Sequence, residues 1–278
     1  MEKTLNLHQG FGQCGEALDF KVNLFPAGEC YLQIDVPHGV HSCRINSRVN
    51  NSDDLMNIIF AVDALKRRGV RDIELFIPYF PYARQDRVCD TGEAFSLKVI
   101  CKILESLNLY RIISYDIHSN VAGLMLDDMM LVDYDNFREV LDFIEYLDIS
   151  KSKLALICPD NGARKKAEAL YNKGMFDTVI YCNKRRTESG IVVASIENMI
   201  EGMTAIVVDD ICDGGATFNA LGQRLQEAKV KESYLFVSHG IFSKGFAELS
   251  KYYKRVGTTN SRLKDYHNSY VKSFNLNY

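Results

Sequence analysis

Residues 206–215 read IVVDDICDGG. Three apolar residues, Ile206 to Val208, run straight into Asp209, Asp210 and Asp213, and two glycines follow. Desolvating a carboxylate costs several kcal/mol unless something pairs with it. Acids at the end of a buried strand therefore need a partner in the fold or a ligand. Gly214, Gly215, Ala216 and Thr217 can turn backbone N–H groups inward, and a helix expected from about Phe218 would aim its positive end at an anion. A phosphorylated ribose satisfies both halves: Asp209 and Asp210 on the 2- and 3-hydroxyls, the Asp213–Thr217 loop on the 5-phosphate.

Similar polar clusters close other apolar runs: YARQDR (82–87), DIHS (116–119), PDNGARKK (159–166), NKRR (183–186) and SHG (238–240). In an open parallel sheet, ligands bind outside the carboxyl ends of the strands. These clusters would then line one cleft with both signs of charge. Arg and Lys hold phosphate oxygens, and carboxylates hold hydroxyls and Mg²⁺. The chemistry suits a sugar phosphate beside a metal–nucleotide complex. Taken singly, each residue has a plainer reading. Asp209 and Asp210 could pair with Lys184 or Arg186 in a buried network. Gly214 and Gly215 could be a simple turn. His118 could be a satisfied structural histidine, and Arg84 and Arg87 surface charges. Arg164, Lys165 and Lys166 read as an exposed helix face, with Arg164 the best exception. Tyr79, Phe80 and Tyr82 read as packing. Phe25 suits the core as well as it suits stacking on a base.

The elements that must carry these residues alternate. Helical patterns cover 52–69, 93–108, 136–147, 163–173 and 218–230; strand patterns cover 72–80, 111–118, 153–160, 177–182, 204–210 and 233–240. Ser52 reads as the cap of the first helix, with Asp53 and Asp54 in its first turn and Gly69 just past its end. Strands apolar on both faces that alternate with helices predict parallel sheets covered on both sides, joined by right-handed crossovers. The series restarts near residue 150, which predicts two α/β domains with the boundary inside 134–152; we assign residues 1–137 and 138–278.

The composition narrows the class. Of 278 residues, 47% are hydrophobic and 25% charged, and net charge is −3, so no global field draws the chain to nucleic acid or a membrane. Eight cysteines without a CxxC pair, several inside apolar runs, read as reduced thiols of a cytoplasmic protein. HGVH (38–41) has no third ligand nearby and reads as a turn. The N-terminus, MEKTLNLHQG, lacks signal-peptide blocks, and no apolar stretch reaches the roughly 20 residues of a membrane helix.

Six motifs, in order, resemble the ribose-phosphate pyrophosphokinases (PRPP synthetases). The DD–x–x–D–x–G–x–T pattern resembles the ribose-phosphate signature of that family and of type I phosphoribosyltransferases. PYFPYARQDR (78–87) resembles the pyrophosphokinase ATP motif, and DIHS, PDNGARKKA (159–167), NKRR and SHGIFS (238–243) agree, with VGTTNS (256–261) similar to the late strand. The resemblance implies two tandem type I phosphoribosyltransferase-like (Rossmann-like) α/β domains with mostly parallel sheets. It implies transfer of the β,γ-diphosphoryl group of Mg-ATP to the anomeric hydroxyl of ribose 5-phosphate, giving PRPP and AMP. By motif position, Lys184, Arg186 and His118 steady the transferring group. Arg84, Gln85, Asp86, Arg87 and His118 bind ATP. Asp160, Asp209, Asp210, Asp213, Gly214, Gly215, Ala216 and Thr217 bind ribose phosphate, and His118 and Asp160 meet the Mg²⁺. FPAGE (25–29) resembles the family's FxDGE, so Phe25 and Glu29 would reach the ATP of a neighbouring subunit in a homo-oligomer, a dimer or a hexamer of dimers.

The chain departs from the pattern in four places. It is shorter, Ala27 replaces an adenine-side aspartate, the loop after Arg87 is VCDTGEAF where Lys and Arg are usual, and DGGAT stands where DTGGT is usual. These changes resemble a short, often phage-encoded branch in which some members use ADP-ribose as acceptor and feed NAD⁺ resynthesis, in the host cytoplasm if phage-encoded. Ribose 5-phosphate stays ahead as the acceptor. Two other readings are a regulatory homologue without turnover and a transferase that consumes PRPP; YARQDR argues against the second.

Overall fold

The computed structural model describes residues 2–12, 15–126, 130–160, 162–182, 184–187, 190–193, 196, 200–262 and 269–276, with the backbone alone for 184–187 and 190–193. The chain divides into two compact units, Met1–Asp135 with Leu276–Tyr278, and Asn136–Asn275.

The first unit contains β1 (Glu2–Asn6), β2 (Glu16–Ala17), β3 (Phe20–Leu24), β4 (Cys30–Ile34), β5 (Ser42–Asn46), β6 (Asp72–Phe76), β7 (Arg111–Tyr115) and β8 (Leu131–Tyr134), with helices α1 (Ser52–Arg67), α2 (Ser96–Ser106) and α3 (Val121–Met125). Six strands form a parallel sheet in the order β2-β1-β5-β6-β7-β8. The apolar face of α1 (Leu55, Ile58, Val62 and Leu65) packs with Leu5, Ile45, Ile73 and Leu75 of the strands. The cap of α1 is Asn51, not Ser52. Its side chain accepts from the Asp54 N–H at 3.0 Å, while the Asp54 carboxylate accepts from Asn50 and Asn51 at 2.7 and 3.2 Å. The reciprocal pair satisfies two donors, where Ser52 could have satisfied one.

The second unit contains α4 (Phe137–Tyr146), β9 (Leu154–Cys158), α5 (Arg164–Tyr171), β10 (Thr178–Tyr181), β11 (Lys184–Thr187), β12 (Gly190–Val193), β13 (Thr204–Cys212), α6 (Ala216–Glu227), β14 (Glu232–Gly240), β15 (Val256–Thr259) and β16 (Val271–Phe274). Its parallel sheet runs β10-β9-β13-β14-β15-β16. Phe218, Leu221 and Leu225 of α6 cover one face with Val207 and Leu235; Val140, Phe143 and Ile144 of α4 cover the other with Leu156 and Ile206. Neighbours Ile206 and Val207 thus enter opposite cores, which is why the strand reads as a continuous apolar run.

The strand and helix limits differ from the expectation at the ends that matter. β6 stops at Phe76 instead of 80, before Pro78, which has no N–H to give a ladder. β7 stops at Tyr115 because Asp116 turns left-handed at φ 45°. β13 instead continues to Cys212, and α6 starts at Ala216 rather than near Phe218. Two antiparallel hairpins, β3–β4 and β11–β12, interrupt the βα alternation.

Candidate active site

In the second unit, Asp209 and Asp210 of the opening motif lie inside β13 and not at its junction with a loop; Asp209 is in register with Val237. Asp209 is half-buried and Asp210 buried, and Asp209 Oδ1 accepts from the Asp210 N–H at 3.0 Å. Burial, then the like charges of Asp210 and Asp160, raise the Asp209 carboxyl well above the usual carboxylate range. Three of the acids singled out by sequence are therefore close neighbours. Asp160 follows β9, and its Oδ1 accepts from the N–H groups of Gly162 (2.9 Å) and Ala163 (3.2 Å), at the entry to α5. A cluster of mutually repelling carboxylates is a standing demand for hydroxyl donors or a cation.

The strand ends next to Asp213, which is half-buried, and Gly214 follows. Gly215 precedes α6 at φ 78°, a left-handed conformation that a Cβ would strain. With no side chain there, nothing from the cap competes for the first-turn N–H groups of Ala216 and Thr217.

Lys184 and Arg186 lie within β11, paired with Val193 and Ile191 of β12, and not in a turn or at the end of a sheet strand. Their side chains fall outside the described residues, as do Asn161 and Asn183 altogether. β12 lies against α6, so the hairpin flanks the helix that follows the glycine loop.

Two expected cleft components belong elsewhere. His239 of SHG is 1% exposed, with Nδ1 2.8 Å from Ser261 Oγ, and the Ser238 carbonyl accepts from Thr259 Oγ1 at 2.6 Å. SHG is interior hydrogen bonding. Arg164 bonds Glu168 at 3.1 Å and lies over the Tyr181 ring at 4.6 Å, so the helix-face reading holds for it.

In the first unit, the loops after neighbouring strands β6 and β7 carry YARQDR and DIHS. Ser119 Oγ donates to Asp86 Oδ2 at 2.7 Å and joins them. Ser119 is the residue sequence reasoning passed over; its signal was its place in DIHS. Arg87 beside it, then Ser119 and the nearby His118, hold the Asp86 carboxyl below the usual range. Arg84, Gln85 and His118 are exposed beside this bond. Arg87 is 74% exposed and pairs with Asp86 at 2.7 Å. Phe80 is core, whereas Tyr82 is exposed at φ 59°. The acidic loop that follows folds on itself: Glu93 accepts from the N–H groups of Cys89 (2.8 Å) and Asp90 (3.1 Å). Phe25 and Glu29 close the β3–β4 hairpin through a Phe25 N–H to Glu29 carbonyl bond of 2.8 Å. Phe25 is 53% exposed and edge-on to Tyr31, which removes its core reading.

Among the described residues, no three His, Cys, Asp or Glu converge as a metal cage, and no helix is long and apolar enough to cross a membrane. His38 and His41 are exposed. Burial pushes the thiols of Cys43, Cys158, Cys182 and Cys212 up to about 12. They are inert core residues at neutral pH.

Parallel sheets covered on both faces, with acids, a glycine loop and a helix start in the second, define an α/β protein of the phosphoribosyltransferase type. Residues 15–107 match the N-terminal domain of ribose phosphate pyrophosphokinase, and residues 141–268 match the phosphoribosyl transferase domain. The ribose-phosphate pyrophosphokinase of Ralstonia nicotianae is 30% identical over 251 residues, covering 84% of this chain and 73% of that protein. The Bacillus subtilis protein of the same name is 29% identical over 228 residues, covering 80% and 70%. The crystal structure of phosphoribosylpyrophosphate synthetase from Mycobacterium smegmatis superposes with a TM-score of 0.82 at 20% identity, over 99% of this chain and 94% of that one, and agrees in fold. The chain belongs to the ribose-phosphate pyrophosphokinase family, whose members are diphosphotransferase enzymes.

Proposed function

We propose that the protein transfers the β,γ-diphosphoryl group of ATP to the anomeric hydroxyl of ribose 5-phosphate, yielding PRPP and AMP. The reading is carried by one observation: a pyrophosphokinase N-terminal domain and a phosphoribosyltransferase domain occur in one chain. A transferase that consumes PRPP has no use for the first.

The acceptor's 2- and 3-hydroxyls donate to Asp209 and Asp210, which relieves the repulsion that raises Asp209. The amides of Asp213, Gly214, Gly215, Ala216 and Thr217, with the Thr217 hydroxyl, take the 5-phosphate. Arg84, Gln85, Asp86, Arg87 and His118 hold ATP, with Phe25 and Glu29 contributed across a homo-oligomer contact; the exposed ring of Phe25 supports that assignment. The hydroxyl attacks the β-phosphorus in line while charge builds on the phosphoryl oxygens, and Lys184 and Arg186 stabilise it. Mg²⁺ keeps most of its own water and phosphate ligands and needs only one or two protein groups. His118 and Asp160 would hold it, and it would neutralise the triphosphate.

The test is AMP release from Mg-ATP with ribose 5-phosphate or ADP-ribose as acceptor. Gly214, which lacks the hydroxyl donor of the usual DTGGT, favours a second reading with ADP-ribose, forming ADP-ribose 1-pyrophosphate. Acceptor-dependent AMP that disappears in Lys184→Ala is expected. Nucleotide binding without AMP on either acceptor would replace the proposal with a regulatory role.

A further inference from the structure

The segment after β14 is laced to the end of β13. The N–H groups of Ile241 and Phe242 donate to the Cys212 carbonyl at 2.9 and 3.0 Å, and that of Ser243 donates to the Asp213 carbonyl at 3.2 Å. The chain then reverses through Phe242 (φ 46°) and Gly245 (φ 67°), closed by a 2.9 Å bond from the Gly245 N–H to the Phe242 carbonyl. Lys244 sits in this turn, and its stem lies across Gly214. A Cβ built on Gly214 would meet Lys244 Cδ and Cε at 3.6 Å and Cγ at 3.8 Å, ordinary van der Waals distances. Nζ is one C–N bond beyond Cε, about 1.5 Å, so the ammonium stays near the mouth of the glycine loop. Lys244 is exposed and, among the described residues, makes no hydrogen bond or ion pair.

The charge balance of the loop gives this placement its meaning. Asp213 brings a negative charge, Gly214, Gly215 and Ala216 bring no side-chain donor, and Thr217 brings one hydroxyl. Amides and a helix end can hold a phosphoryl group, but the segment has no formal positive charge of its own. We propose that Lys244 is a specificity-determining residue of the acceptor subsite, whose ammonium binds the phosphoryl group on the ribose O5. This rests on the function proposed above. A lysine is a point charge on a flexible stem, without the fixed fork of arginine. It can therefore serve a terminal monoester or the nearer phosphoryl of a diphosphate ester.

The test uses the full chain with Lys244→Ala, Lys244→Gln and Lys244→Arg, the Gln variant keeping the stem on Gly214. Calorimetry measures ribose 5-phosphate, ADP-ribose and unphosphorylated ribose separately, and AMP release gives KM and kcat. A charged hydrogen bond of this kind corresponds to a roughly 10- to 100-fold weaker acceptor Kd in Ala and Gln, largely restored in Arg. The KM for ATP and kcat should stay within about threefold. A shift for one phosphorylated ligand alone identifies the source; shifts for both identify the phosphoryl they share. Unchanged Kd values, equal weakening of plain ribose, or no binding of either phosphorylated ligand to the unmodified protein overturn the proposal. Should the unmodified protein bind an acceptor yet release no AMP, the reaction assignment fails while the Kd comparison still decides Lys244.

Discussion

Ser119 offers a direct test of how the nucleotide-side loops are held. Its Oγ bonds Asp86 Oδ2 at 2.7 Å and also accepts from the Val121 N–H at 3.2 Å. The Asp86 side chain is only 11% exposed, and Arg87 donates to both of its oxygens, Oδ1 at 2.7 Å and Oδ2 at 3.1 Å. Arg87 is the larger cause of the lowered Asp86 pKa, yet it should matter less to folding. The pair is adjacent in sequence and its Arg87 end is solvated, so the unfolded chain can make it too. Ser119 is 33 residues from Asp86, and its bond exists only when the loops are assembled. Hydroxyl-to-carboxylate bonds contribute about 1.5–3 kcal/mol when dry, and residual water lowers this to about 1–2 kcal/mol for Ser119→Ala. Arg87→Ala should cost clearly less than Ser119→Ala, because an exposed ion pair contributes little. Urea unfolding at pH 7 measures both. Because the folded Asp86 pKa is depressed, its contribution is present above the ordinary value of about 3.9 and lost as pH falls through the folded value. The gap between the unmodified protein and Ser119→Ala should therefore narrow in acid. In the AMP-release assay, the loosened 82–87 loop should raise KM for ATP about three- to tenfold, with the acceptor KM unmoved. Equal costs for the two variants, or an unchanged ATP KM in a destabilised Ser119→Ala, would refute the reasoning.

Asp209→Asn should remove acceptor-dependent AMP yet stabilise the protein without ligand by about 0.5–2 kcal/mol at pH 8. A raised folded pKa means that Asp209 contributes stability only in acid and loses it as pH rises through that value, so the advantage should shrink towards pH 4; melting scans at both pH values check it. Gly257→Ala would place a Cβ 2.7 Å from Phe236 Cδ2 and 2.8 Å from Phe143 Cδ2. We expect a loss of about 1–3 kcal/mol from overpacking, read as a lower denaturant midpoint with the slope unchanged.

The alternation of apolar strands and amphipathic helices was legible because the sheets are buried on both faces, and Ile206 and Val207 show it residue by residue. Strand limits were less legible. Asp209 and Asp210 look like a strand end from their charge, but parallel pairing to β14 carries the backbone on to Cys212. Antiparallel hairpins hide for a different reason. The β3–β4 ribbon carries apolar residues mostly at alternate positions, with Phe20, Leu32 and Ile34 partly buried against the core, so it lacks the continuous apolar run that marks the sheet strands. At the site, residue types revealed the acids and the glycine loop. Connections across long stretches of chain were invisible: Ser119 to Asp86, and Lys244 over Gly214, depend on which loops the parallel order brings side by side. His239 misled because a buried histidine bonded to Ser261 has the same sequence appearance as one facing a ligand.

The first unit is not continuous in sequence, since Leu276 packs with Phe76, Ile113 and Tyr115. During synthesis, the first unit must wait until the second has been made before this small apolar cluster can close. At about 5–20 residues per second, the ribosome imposes a delay on the order of 10–30 s. The nascent chain would carry Phe76, Ile113 and Tyr115 without this cover throughout that interval.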